Sequence, residues 1–311
     1  MEKKRVLWLD IAKAQGILVV LLVHTGKSFG PVSFFGGMFY MPIFFILAGM
    51  TFRYKPEERF GSFVKKKAKR LLVPYFGYNL FLFLFFFLKN DLLAGQVSAE
   101  SFFPLLGILY SRNCLFPMDS PANVYFMQIL NAPTWFLTGM FVSYLLFWLV
   151  MKAAEGKLRT AVYLNFGVLL AAVLVHYLCP VLLPWSLDCA LYAVSFLLFG
   201  KALSEKGIVE RLYRKPGAVL LLAAVFAVLS WLNGSVNMSV ADYGHSMILY
   251  LVVGALGSLL VMAVSFFLEK HAGILAKACG FLGRHTLPVL CLHLFVYSMI
   301  GTVLRVLGIL Q

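Results

Sequence analysis

The sequence predicts an all-α, polytopic bundle of about nine or ten transmembrane helices, and three observations predict it. Of 311 residues, 61% are hydrophobic and 13% charged, whereas soluble domains carry about a quarter charged residues. The mean hydropathy is +0.88. The apolar residues also fall into runs of roughly 17–23, enough for a helix to cross the ~30 Å hydrocarbon core and too long for barrel strands.

The first run, 6–26, follows Met1-Glu2-Lys3-Lys4-Arg5, which resembles the start of a signal peptide. Asp10 and Lys13 interrupt it and no small-x-small cleavage site closes it, so it reads as a retained helix. The second run, 33–53, contains Pro42, which frees a backbone carbonyl, and Gly49, which permits close helix approach. The third, 71–88, follows the basic stretch Lys65-Lys66-Lys67-Ala68-Lys69-Arg70. Segment 101–110 is apolar but too short to span, and it leaves the count between nine and ten. Six further runs lie at 134–151, 160–178, 186–203, 216–232, 246–268 and 286–304. The longest stretch between spans, 89–133, carries Pro104, Pro117, Pro121 and Pro133 and reads as an ordered loop over the outer face. There is no internal repeat, and 1–311 is read as a single membrane-embedded domain.

The net charge is +14. Alternating the spans from a cytoplasmic N-terminus places 22 of the 27 basic residues in the inner segments 1–5, 53–70, 152–159, 201–215 and 269–285. Lys27, Lys89, Arg112 and Arg305 fall outside, and Lys13 lies within the first span. This asymmetry is the positive-inside pattern of a multi-pass protein of the cell membrane. No nucleic-acid motif accompanies the charge. The five cysteines show no CxxC and no metal-ligand spacing, so no metal is expected.

The residues that carry chemistry begin in the first helix. At about 100° per residue, His24 lies ~20° from Lys13 around the axis and ~16 Å further along it, while Asp10 lies ~60° from Lys13. One polar stripe therefore crosses most of the membrane. It is either an ion pair with a packed histidine, or a polar channel with a base at its far end, a role that suits a side chain titrating near neutrality. Arg70 is the residue of the basic cluster best able to grip phosphate through two donors. Asp188 and Trp135 are candidate acceptor-binding residues, through hydroxyl protons and as a platform respectively; Asp242, His245 and His176 are weaker outer-side candidates. His293 lies mid-span and Arg284 at an inner helix start. A second functional class, a transporter or flippase for a lipid-linked sugar or small metabolite, would use the same Asp, Lys and His as a path. It would usually show internal repeats.

Lys13-(ten residues)-His24, Met41-Pro42-Ile43-Phe44-Phe45-Ile46-Leu47-Ala48-Gly49, Lys69-Arg70-Leu71-Leu72-Val73-Pro74 and Thr134-Trp135-Phe136-Leu137 occur in that order. Together they resemble the acyltransferase-3 family of membrane acyltransferases. Leu183-Pro184-Trp185-Ser186-Leu187-Asp188, Asn237-Met238-Ser239 and Leu282-Gly283-Arg284-His285 with Leu292-His293 look like its fucose 4-O-acetylase-related branch. The resemblance implies acetyl-CoA as acyl donor and a cell-envelope glycan or glycolipid as acceptor, hence O-acetylation in polysaccharide modification. His24 would act as base or as a transient acyl carrier. Lys13 and Arg70 would hold the donor, with Asp10 orienting Lys13.

Overall fold

The computed structural model describes residues 6–112, 114–117 and 129–309, and among these the chain is helical with no strand. The helices are α1 (Leu7–Val23), α2 (Pro31–Phe39), α3 (Pro42–Thr51), α4 (Phe60–Phe87), α5 (Phe103–Tyr110), α6 (Trp135–Ala153), α7 (Leu158–Leu178), α8 (Leu187–Lys206), α9 (Ile208–Tyr213), α10 (Pro216–Asn233), α11 (Met247–His271), α12 (Gly273–Arg284) and α13 (Thr286–Val306). Eight helical runs among the described residues are long and apolar enough to cross a membrane. α1 has 17 residues and packs as a ninth member of the bundle against α2, α11, α12 and α13. Residues 99–110 form only a short apolar helical segment, in line with the sequence reading.

Local chemistry explains the breaks. α2 and α3 form one run interrupted at Tyr40–Met41, because Pro42 has no N–H to continue the ladder and opens the next helix at its first turn. α4 starts at Phe60, ahead of its apolar run, so the basic cluster is helical and continuous with the span.

The bundle centres on α8, whose Cys189–Leu198 stretch is almost wholly buried against α3, α6 and α7. The α3–α8 crossing depends on glycine on both sides. A Cβ on Gly49 would lie 1.9 Å from the Leu197 carbonyl oxygen, and one on Gly200 would lie 1.9 Å from that of Ile46. Van der Waals packing of close backbones is what holds helices together in lipid. At the periphery, Phe166, Leu170 and Tyr177 of α7 and Leu220, Val228 and Trp231 of α10 are exposed, as fits helices that face lipid.

α12 lies in a segment the sequence presents as a basic loop. It packs along α1: a Cβ on Gly280 would meet the Leu7 side chain, and one on Gly283 would lie 1.8 Å from the Asp10 carbonyl oxygen. Further on, the His293 ring of α13 lies beside that of His24. The contacts advance in the same order along α1 and along α12 and α13, so α12 and α13 run parallel to α1. Residue 306 therefore emerges on the face opposite the start of α1. The N-terminal side, which carries most of the lysines and arginines, is the basic face below.

Candidate active site

The stripe on α1 is realised as paired groups. Lys13 Nζ donates to Asp10 Oδ1 at 3.0 Å, and the carboxylate is buried. At the helix end, His24 Nδ1 lies 2.8 Å from the Val20 carbonyl oxygen. A carbonyl oxygen can only accept, so Nδ1 carries the hydrogen and Nε2 is left as the basic nitrogen.

A cavity of about 360 Å³ opens beside this stripe between α1, α3, α4, α6, the end of α12 and α13. Lys13, Arg70 and Arg284 line one end, and Val20, Leu137 and Leu290 line the other. Lys13 and Val20 are seven residues apart, so the cavity runs roughly 10 Å along α1, and His24 lies one turn, about 6 Å, beyond it. Among the described residues, Arg70 and Arg284 form no ion pair, and Lys13 pairs only with Asp10. Lys67 lies near the same end, its Nζ 3.1 Å from the centroid of the Tyr144 ring, which also borders the cavity. One end is thus cationic and the walls beyond it are apolar.

His24 is not alone. The His293 ring centroid lies 5.0 Å from that of His24 at an interplanar angle of 68°. His293 Nδ1 is 3.0 Å from the carbonyl oxygens of both Val289 and Leu290, so it too is protonated there. Tyr297 Oη donates to the Leu21 carbonyl at 3.1 Å and pins α13 to α1 next to both rings.

A second cavity, of about 390 Å³, lies toward the opposite face between the end of α7, the start of α8 and residues 237–243. Asp188, His176, Asp242 and Asn237 line it. Its frame is Arg112, which is fully buried. The guanidinium donates from Nε to Leu183 O at 3.1 Å, from Nη1 to Ser239 O at 2.7 Å, and from Nη2 to the Asp188 carboxylate. Asp188 also accepts from the Cys189 N–H at 2.8 Å. Each of the three segments gathered this way contains a non-glycine residue with left-handed φ: Ser111 (58°), Trp185 and Ser186 (55° and 57°), and Ala241 (57°). Such conformations persist where surrounding contacts over-determine them.

Of the residues singled out in the sequence, Lys13 and Arg70 line the cavity mouth, Asp10 holds Lys13 from its own helix, and His24 stands one turn past the far end. Asp188, in the first turn of α8, lines the other cavity. Trp135 is buried at the start of α6 and lines neither cavity. His245 is exposed, its Nδ1 3.1 Å from the Leu232 carbonyl oxygen. His293 and Arg284 were named in the sequence, but that Arg284 lines the same cavity end as Lys13 and that His293 lies beside His24 was not legible, nor was the Arg112 hub. Arg112 did carry a signal, being one of the few basic residues that break the charge asymmetry.

The family model described as "Acyltransferase domain" matches residues 6–310. No curated protein and no solved structure matches the chain.

Proposed function

Because the chain belongs to the acyltransferase-3 family of membrane acyltransferases, and is thus a multi-pass acyltransferase, we propose that it is an O-acetyltransferase that takes its acetyl group from cytoplasmic acetyl-CoA. The acceptor is a hydroxyl of a cell-envelope glycan or glycolipid presented from the opposite side of the cell membrane, with the N-terminus in the cytoplasm. The motifs around Leu183–Asp188 and Leu282–His293 favour the fucose 4-O-acetylase-related branch, and 1–311 acts as one domain.

The observation that carries this reading is the cationic-mouthed cavity that ends one turn short of His24. Lys13, Arg70 and Arg284 suit the phosphates of the donor. A volume of about 360 Å³ is near the lower end of the roughly 300–1,000 Å³ of ligand pockets. It suits the slim pantetheine arm, with the nucleotide remaining at the mouth. The thioester then approaches His24 from the basic face while the hydroxyl arrives from the other.

His24 Nε2 takes the hydroxyl proton as the oxygen attacks the thioester carbonyl. The tetrahedral intermediate collapses, the C–S bond breaks, and the thiolate takes the proton back from the His24 imidazolium. The products are an ester and free CoA, and His24 returns to its neutral form. The Val20 carbonyl holds the ring in the tautomer this requires. Lys13, oriented by Asp10, acts on the donor and not on the proton.

The test is thiol release from acetyl-CoA by the protein purified in lipid with its native-membrane acceptor fraction, wild type against His24→Gln. Loss of release at unchanged abundance is expected; near-wild-type turnover of His24→Gln would overturn the assignment.

A further inference from the structure

The cavity toward the opposite face takes no part in the transfer at His24, yet its lining is chemically one-sided. Asp188 is 7% exposed, and the two bonds that fix its carboxylate, from Arg112 Nη2 and from the Cys189 N–H, both fall on Oδ1. Among the described residues no group hydrogen-bonds Oδ2, and the residue lines the cavity. Asp242 follows the same pattern. Its Oδ1 accepts from the Gly244 N–H at 2.9 Å, and its backbone is tied to that of Asn237 by bonds of 2.9 and 3.1 Å. The third group is His176 in the last turn of α7, whose ring centroid lies 5.3 Å from that of Tyr243. Among the described residues that ring makes no hydrogen bond, and it lies within electrostatic reach of both carboxylates.

A carboxylate can only accept, and Arg112 is committed to the frame. The cavity therefore calls for a ligand that brings donors, and it repels phosphate. An ammonium group brings donors too, but Arg112 offsets the charge of Asp188, and Asp242 is exposed, where water and salt screen it. The three acceptors stand on three separate elements, and among the described residues they do not converge as a metal site. Several neutral O–H donors disposed around a ring fit this layout better than one point charge. The rest of the lining includes Val175, Val181, Leu182 and Val240, an aliphatic wall for the C–H face a sugar ring carries between its hydroxyls. About 390 Å³ is near the lower end of the roughly 300–1,000 Å³ of ligand pockets, which suits a unit of monosaccharide size.

We propose that this cavity is a saccharide subsite, which holds one sugar unit of the acceptor through hydroxyl donation to Asp188 Oδ2, Asp242 and His176. This rests on the reading of the acceptor as a glycan and adds where a unit of that glycan is gripped, apart from the hydroxyl that reacts. The frame holds Asp188 and the tied loop holds Asp242, so two acceptors are placed before the ligand arrives and little ordering is required on binding.

The test uses a native reporter. Cys179, at the end of α7, lines the cavity with a free and half-buried thiol, whereas Cys114, Cys189 and Cys291 are buried. The protein in lipid, without acetyl-CoA, is treated with a small methanethiosulfonate. Modification of Cys179 and Cys279 is followed by peptide mass spectrometry with the methyl glycosides of glucose, galactose and fucose as probes. At least one glycoside should protect Cys179 saturably and leave Cys279 unaffected. Asp242→Asn and His176→Phe should each raise the glycoside concentration required by about tenfold, the size expected for a lost hydrogen bond to a charged or polar group. His176→Gln, which keeps a hydrogen-bonding end, should recover part of the loss. With the native-membrane acceptor fraction, Asp242→Asn should raise the KM for the acceptor and not that for acetyl-CoA, whereas a merely structural role would disturb both. Protection by none of the three glycosides overturns the proposal. So does protection that methylammonium gives equally well, or protection that survives both substitutions. No transfer occurs in this assay, so the two readings fail separately. Protection retained in His24→Gln supports the subsite whatever the base, and acetyl transfer to a glycan by a wild type that shows no protection leaves the function standing and removes the subsite.

Discussion

The cavities at the basic and opposite faces are similar in volume, about 360 and 390 Å³, but their arginines are used in opposite ways. Arg112 has its guanidinium committed to Leu183, Ser239 and Asp188. It cannot turn to a ligand without releasing three segments of chain. Arg70 and Arg284 line their cavity with no carboxylate partner among the described residues. A buried cation whose three nitrogens all find acceptors holds structure together, whereas a cluster of unmatched cations at an open mouth is repulsive by itself and is relieved by an anion. Asp188 therefore differs from Lys13, although both line cavities: its carboxylate already belongs to the frame.

This contrast predicts that substitutions in the two regions separate stability from activity, and the largest effect belongs to Arg112. Arg112→Ala leaves a buried Asp188 carboxylate without its counter-ion, and breaking a buried pair in this way typically costs about 3–5 kcal/mol. A lowered unfolding temperature and poor recovery in size-exclusion chromatography are expected. Wild-type thermal stability in Arg112→Ala would abolish the distinction between the two cavities. Next in size is His24→Gln, for which kcat should fall by about 10²–10⁴-fold with the unfolding temperature unchanged. A parallel fall in stability would make His24 a packing residue.

The membrane spans were readable because hydropathy and charge asymmetry are properties of single segments. Lys13 and His24 were readable for a related reason, since helical geometry alone puts them on one face. α12 was not. Its Ala276, Gly280 and Gly283 are buried, and they become informative only once α1 is there to press against. The pairing of His24 with His293 likewise depends on α13 docking along α1, through contacts between residues some 270 positions apart that no local pattern encodes. Asp188 was seen as a polar group near the opposite face, but its partner could not be deduced, because Arg112 reaches it only after residues 111–112, 183–188 and 237–243 have come together.

Within the basic face the same comparison can be made finer. Arg70 lines the cavity and offers a planar fork of donors to phosphate. Arg70→Ala should raise the KM for acetyl-CoA by about tenfold with a smaller change in kcat, and Arg70→Lys should recover only part of the loss.

Lys66 sits in the same basic run on α4 and carries the same charge, but its side chain is 70% exposed and its nearest carboxylate oxygen, Glu58 Oε1, is 3.8 Å away. Pairs of this kind are screened and contribute about 0–1 kcal/mol. Removing the charge takes away one of several interchangeable contributions to the potential at the mouth and no directed contact. Lys66→Ala should therefore change the KM for acetyl-CoA by less than about twofold, consistent with a screened surface charge. The measurement is a pair of donor titrations of Lys66→Ala and Arg70→Ala at matched abundance and ionic strength. If the two variants shift KM equally, the donor is drawn by the diffuse field of the whole cluster. If only Arg70→Ala shifts it, the donor is held by Arg70, which lines the cavity.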